Sequence, residues 1–281
     1  MKITQPSCND IKMINFVMSH STISLFSRKQ TILLFGAAWA LLAMSVSLPP
    51  AHSLQQTKPA LTDSTTLYLT FDDGIIPESE ALDSLVRTEE VPVTVFWIGK
   101  FVLWNDTTRR IWQLMRNNPW IEPGNHSYSH ANNRYFKYYQ DPQQVVHDFQ
   151  LNADSLQFTG KLARLPGRNA WRINNRKRED LEDCKAVADS LAAAGYSLFG
   201  WDIEWNYSSS TNQLEPAEDL LFRIGQVLKF HRSFMPRHIV ILCHDPAMSS
   251  SFSITTLQHF IQQARTQYPY RFRFLSQYPA L

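Results

Sequence analysis

The chain has 281 residues, 44% of them hydrophobic, 12% aromatic and 19% charged, with a formal net charge of +2. That mixture supports a buried core and excludes intrinsic disorder and fibrous repeats. The length suits either two small domains or one large one.

The first feature along the chain is Thr31 to Leu48, TILLFGAAWALLAMSVSL, an uncharged run just after Arg28 and Lys29. Residues 1–53 read as an export segment, with Met13 and Met18 as alternative starts. Pro49 and Pro50 break a helix ahead of Ala51-His52-Ser53, whose small residues suit a signal peptidase. Cleavage there gives a secreted or periplasmic domain. Retention gives one anchored to the inner membrane and facing outward, and only this segment would then touch the membrane. The segment carries Lys2, Lys12, Arg28 and Lys29 against Asp10, so the remainder is about neutral. A neutral domain is a poor polyanion binder, and nucleic acid is not expected as a partner. A monomer is expected.

Residues 54–66 read as a polar tether and 67–281 as a single domain. Strand-like apolar runs occur at Leu67 to Phe71, Val93 to Trp97, Lys161 to Leu165, Tyr196 to Trp201, His238 to Cys243 and Tyr270 to Phe274, with a weaker one near Trp120 and Ile121. Helical spacing covers Asp141 to Leu156, Arg178 to Ala194, Pro216 to Phe230 and Ser253 to Arg265. Residues 98 to 119, 168 to 178 and 205 to 216 read as loops, and the basic group Arg172, Arg176, Lys177 and Arg178 as a solvated helix start. Strands alternating with helices predict an α/β fold with a parallel sheet, open or closed into a barrel. GxGxxG and GxxxxGK[ST] are both missing, which removes the usual grounds for a dinucleotide or P-loop site. Cys184 and Cys243 are too few for a disulfide scaffold and read as buried, inert thiols.

The chemistry gathers at strand ends. Asp72 and Asp73 close the first run in LYLTFDDG, where two adjacent carboxylates make sense if a cation neutralises one and the other serves as a base. His126 and His130 in GNHSYSH are four apart and face one way on a helical turn. With Asp73 they make a two-histidine, one-carboxylate set for a divalent ion, zinc first, with cobalt, nickel or iron accepted. His244 follows the run HIVILC and can protonate a leaving nitrogen, while Asp72 can take the proton of an attacking water. Arg164 in ARLPGR is placed to order a carboxylate. Asp202 or Glu204, in GWDIEW, could partner His244 or Arg164, and Tyr128, Trp201 and Trp205 are candidates to line a sugar groove or to pack in the core.

The order TFDD at 70–73, HSYSH at 126–130, RLPG at 164–167, WDIEW at 201–205 and LCHD at 242–245 resembles the polysaccharide deacetylase family, the NodB homology domain of carbohydrate esterase family four. The resemblance covers about residues 65–275. It implies an irregular (β/α)7-type barrel and metal-dependent removal of acetyl groups from acetylated sugars. Carried over by motif, Asp72 is the base, Asp73, His126 and His130 hold the metal, His244 is the acid and Arg164 supports the acid or the base. In the family's fourth motif, aspartates stand three apart before a tryptophan; here Asp202 and Glu204 stand two apart before Trp205, and of the two Asp202 is preferred as the tuning residue because it needs no lengthening to match an aspartate.

Three function classes are therefore in view. The first is an exported deacetylase acting on an acetylated glycan such as peptidoglycan, a chitin-type oligomer or an exopolysaccharide. The others are an amidase on a small non-sugar amide and a catalytically silent glycan-binding domain. Acetate release with and without a chelator separates them.

Overall fold

The computed structural model describes residues 64–279 apart from Ser209 and Asn212, so the expected export segment and most of the tether lie outside the described residues. In chain order the elements are β1 (Thr65–Asp72), α1 (Ser79–Thr88), β2 (Val93–Trp97), α2 (Gly99–Val102), α3 (Asp106–Arg116), β3 (Ile121–Asn125), α4 (Tyr135–Tyr138), α5 (Pro142–Leu156), β4 (Leu162–Ala163), β5 (Ala170–Ile173), β6 (Arg176–Glu179), α6 (Lys185–Ala193), β7 (Ser197–Leu198), β8 (Ile203–Glu204), β9 (Tyr207–Ser208), β10 (Gln213–Leu214), α7 (Ala217–Lys229), β11 (His238–His244), α8 (Ser251–Thr266) and β12 (Tyr270–Phe272).

The main sheet runs β6-β5-β7-β4-β3-β2-β1-β11-β8, with β12 beside the start of β1. From β7 to β8 every pairing is parallel, and β5 and β6 join antiparallel. The sheet curls into an incomplete barrel, as the α/β alternation and the family resemblance imply. β9 and β10 form a separate two-stranded ribbon.

β1 is buried along nearly its whole length because each face has a cover. Leu67, Leu69 and Phe71 belong to one core with α1 and α8, through Leu82, Val86, Leu257 and Phe260. Tyr68 belongs to a second cluster with Phe96, Phe199 and Val240, inside the curl. Alternation continues the inner face through Thr70 to Asp72. In register, Asp72 lies between Phe96 of β2 and His244 of β11. The pleat thus delivers a carboxylate and an imidazole side by side at the C-terminal edge of the sheet. Each large apolar side chain buried in these cores contributes about 1.5–3 kcal/mol before entropy is counted.

Several boundaries differ from the sequence reading. β1 begins at Thr65, inside the expected tether. Residues 98 to 119 are not one loop: Asn105 caps α3, its Oδ1 accepting from Thr108 N at 2.9 Å while Thr108 Oγ1 accepts from Asn105 N at 3.2 Å. Ile111, Trp112 and Met115 bury that helix. The basic group expected at a helix start forms the β5–β6 hairpin instead, turned at Asn174, whose φ is 51°. Helix α6 therefore starts at Lys185, not Arg178. Cys184 and Cys243 are free and buried.

Candidate active site

The C-terminal edge of the parallel strands holds a cavity of about 230 Å³ lined by Asp72, Asp73, His126, His130, Trp201 and His244. Tyr135, Gly167, Glu204 and Leu242 complete it. A larger groove of about 380 Å³ lies at the opposite edge, between β12 and Trp120, and contains none of these groups.

Neighbouring residues of a strand face opposite ways, so Asp72 and Asp73 reach one cavity only because the chain turns between them. Asp73 has a φ of 70°, in the left-handed region that L-residues adopt at a cost of about 1–3 kcal/mol. Gly74 follows, where a Cβ would meet Asp245 Oδ2 at 2.8 Å, so any side chain there would push the turn away.

His126 and His130 converge by a different route from the expected helical turn. β3 ends at Asn125, and left-handed residues at Ser127 and at His130 through Asn133 fold the chain back. Hydrogen bonds hold this loop. Asn125 Oδ1 accepts from Ser127 N at 3.0 Å, Ser127 Oγ accepts from His130 N at 3.0 Å, and Asp148 Oδ2 accepts from Ser129 Oγ at 2.9 Å. His126 Nδ1 sits 2.9 Å from the Arg164 carbonyl, so that nitrogen carries the proton and Nε2 faces the cavity with its lone pair.

Asp73 Oδ1 lies 3.4 Å from His126 Nε2 and 3.1 Å from His130 Nε2, yet it is buried without an aligned hydrogen-bond donor. The three ligand atoms lie within 4.8 Å of one another and address a common point rather than each other. Burial opposes the charge of Asp73, but the two imidazoles beside it hold its carboxyl well below the usual range. Burial likewise lowers His126, and the charges of Asp72 and Asp73 reverse this and raise it. Such a site attracts a cation, and its donor set suits a divalent metal ion.

Asp72 is held apart from that set. Its Oδ1 accepts from Arg164 Nη1 at 2.9 Å, while Oδ2 stands 3.6 Å from His126 Nε2. The Arg164 side chain is fully buried inside the curl. It also donates to Thr70 Oγ1 at 2.7 Å, to the Phe199 carbonyl at 3.0 Å and to the Gly200 carbonyl at 2.9 Å, and it lies 4.4 Å from the centre of the Phe96 ring. These partners offset the cost of burying a guanidinium and leave one carboxylate oxygen available for chemistry.

Three sequence candidates lie elsewhere. Asp202 points into the fold, where its oxygens accept from Phe234 N at 2.7 Å and Val240 N at 2.9 Å, a structural tie between β8 and β11. The carboxylate near His244 is that of Glu204, with Oε1 4.0 Å from His244 Nδ1. Trp205 is core: its ring packs 5.0 Å from Phe260 and its indole donates to the Glu215 carbonyl at 3.1 Å. Tyr128 packs over Gly99, away from the cavity. Trp201 does line it. The sequence reading missed Tyr135, whose ring stands edge-on to His130 at 5.8 Å. Its place five residues after His130 on the same loop was the available signal.

Residues 60–185 match the family described as Polysaccharide deacetylase. A chitin disaccharide deacetylase of Vibrio alginolyticus is 25% identical over 260 residues, which covers 66% of this chain; the chain spans 59% of that relative's length. The fold is similar to a Streptococcus mutans CE4 esterase at a TM-score of 0.57 and 20% identity, covering 76% of this chain and 87% of that one. It is also similar to the catalytic domain of a peptidoglycan N-acetylglucosamine deacetylase from Eubacterium rectale, at a TM-score of 0.53 and 18% identity, covering 78% and 94%. The matched segment contains Asp72, Asp73, His126, His130 and Arg164, and the curled sheet that carries them is similar to the fold of these carbohydrate esterases.

Proposed function

We propose that the protein is a metal-dependent hydrolase that removes the acetyl group from N-acetylated sugars in a glycan. The substrate class is N-acetylglucosamine-containing material such as peptidoglycan, chitin-type oligomers or an exopolysaccharide. One observation carries this reading: a ligand triad, Asp73, His126 and His130, shares a single cavity with two groups outside the triad that can move protons, Asp72 and His244. The activities of these similar proteins support the same class.

Zinc suits two imidazoles and one carboxylate, with cobalt, nickel and iron as further occupants of such a set. A divalent ion, when bound, supplies Lewis-acid polarisation of the amide carbonyl and acidifies water. The chain's own residues do the rest. Asp72, with Oδ1 fixed by Arg164, takes a proton from the attacking water on Oδ2. His244, across the ladder from Asp72, gives a proton to the departing nitrogen as the C–N bond breaks. Glu204 Oε1 stands 4.0 Å from His244 Nδ1, on the side of the ring where it can orient the imidazole. Acetate and a free amino sugar leave. The uncharged run at Thr31 to Leu48 supports export, so we place this reaction outside the cytoplasm.

The test is acetate release from N-acetylglucosamine oligomers and from small acetamides, using protein stripped with a chelator and then given zinc. Release from the sugars that disappears on stripping and returns with metal is expected. Release that ignores the chelator, or that occurs only from small amides, overturns the reading.

A further inference from the structure

The cavity, at about 230 Å³, is smaller than the ~300 Å³ at the low end of sites for drug-sized ligands and has room for one sugar unit. If the substrate is a chain, as proposed above, its neighbouring units must rest on the surface beside the cavity. Two exposed aromatic rings are carried by the chain segments that leave the same edge of the sheet. β2 and β3 are adjacent parallel strands that end at the edge carrying the site. The chain leaving β2 forms α2 and reaches Trp104, which is 71% exposed. The chain leaving β3 passes His126 and His130 and forms α4, which presents Phe136 at 74% exposure. Among the described residues these are the two most exposed large hydrophobic side chains.

A single exposed apolar residue is ordinary and needs no explanation. Phe222 on α7 and Phe230 just past its end fit that description, since no group of the site lies on that helix. Trp104 and Phe136 differ in being mounted on fastened loops. Lys100 N donates to the Tyr128 carbonyl at 3.1 Å and Lys100 Nζ donates to Asn132 Oδ1 at 3.0 Å, the latter bond four residues from each ring. Around Phe136 the other aromatics are occupied: Tyr135 against His130, and Tyr138 donating to Asp148 Oδ2 at 2.8 Å. Phe136 alone of α4's aromatics faces water, on a backbone its neighbours hold still. An exposed ring on a rigid mount stacks on a flat apolar face without losing much freedom, and the C–H face of a pyranose is such a surface.

We infer that Trp104 and Phe136 are the platforms for the sugar units flanking the one that reacts, and that they set a preference for oligomers of three or more units over the monosaccharide. The inference rests on the deacetylase reading and deepens it. It is tested with zinc-loaded protein and N-acetylglucosamine oligomers of one to six units, measuring both kinetics and calorimetric binding. Phe136→Ala and Trp104→Ala should each weaken hexamer binding and raise its KM about tenfold, equivalent to ~1.4 kcal/mol. Both should leave kcat on the hexamer and all parameters on the monosaccharide unchanged. Phe136→Tyr should restore the parent values, whereas Phe136→Leu, apolar but not flat, should not. Parent-like behaviour of both alanine variants at every length overturns the inference and leaves the function standing. Acetate release from no oligomer overturns the function and the platforms with it. Self-association of the parent that these substitutions abolish, without change in hexamer binding, assigns the rings to a second copy of the chain and also overturns the inference.

Discussion

The two halves of the main sheet are built differently. In β1, β2, β3 and β11 the strands are five to eight residues long and parallel, and all but β3, where Pro123 is exposed, are covered on both faces. From β5 through β8 they are two to four residues long, and the β5–β6 hairpin presents Arg176 and Lys177 to water. Asp72, Asp73, His126 and His244 all stand on or just beyond the long half, whereas the short half contributes Glu204 and the carbonyls that receive Arg164. A reacting constellation needs positions held to about half an ångström, and long, doubly covered strands supply that stiffness.

Substitutions in the two halves should break that contrast or sharpen it. The largest effect is expected from Asp72→Asn, which keeps size and hydrogen bonding but removes the base: turnover should fall about 10²–10⁴-fold with metal content unchanged. Metal loss in this variant would merge Asp72 with the ligand set. Next is Arg164→Met, which strands a buried carboxylate and should cost about 3–5 kcal/mol in urea unfolding. Its counterpart in the short half is Arg172→Met. Arg172 donates to Glu179 and Asp189 at 2.7 Å each, and the Asp189 side chain is 43% exposed, so water can replace the lost partner. About 1–2 kcal/mol is expected, with turnover unchanged. Equal losses for the two arginines would refute the contrast.

A pH effect separates the halves further. Burial pushes the Asp245 carboxyl up to about 7, against the lowering effect of its hydrogen bond from Ser79, and the negative charge of Asp73 raises it further. The folded state thus binds a proton that the unfolded chain releases near pH 4. Stability from this group is full below that value, declines as pH rises toward 7, and is level above it. Asp245→Asn should flatten this part of the stability curve between pH 4 and 7, as read from melting temperatures. The smallest effect is expected from Glu204→Gln, about tenfold in turnover at neutral pH, with metal content unchanged.

Much of this was legible in the residues. β1, β2 and β11 announce themselves because strands buried on both faces are continuous apolar runs, and the residues that end those runs must lie at the edge of the sheet. β3 was faint because Ile-Glu-Pro-Gly-Asn has little apolar content of its own; it is a strand because β2 and β4 flank it. Helix α3 buries only a narrow stripe, and the overlooked signal was the cap at Asn105 and Thr108. The choice between Asp202 and Glu204 was not legible, since a two-residue strand is too short for alternation to say which side chain faces inward. Convergence of Asp73 and His130 depends on left-handed backbone at non-glycine residues, which local preference disfavours and which only the surrounding fold enforces.

Arg164 serves the site twice through unlike parts. Its guanidinium steadies Asp72, while its carbonyl orients His126. Side-chain replacement can remove the first service but never the second, which belongs to the place of β4 beside β3. Sliding β4 by one residue would move that carbonyl by about 3.3 Å and turn the guanidinium out of the barrel. The connection from α5 to β4, Gln157 to Lys161, is therefore a stretch where a one-residue insertion or deletion should do more harm than any exchange of side chains within it.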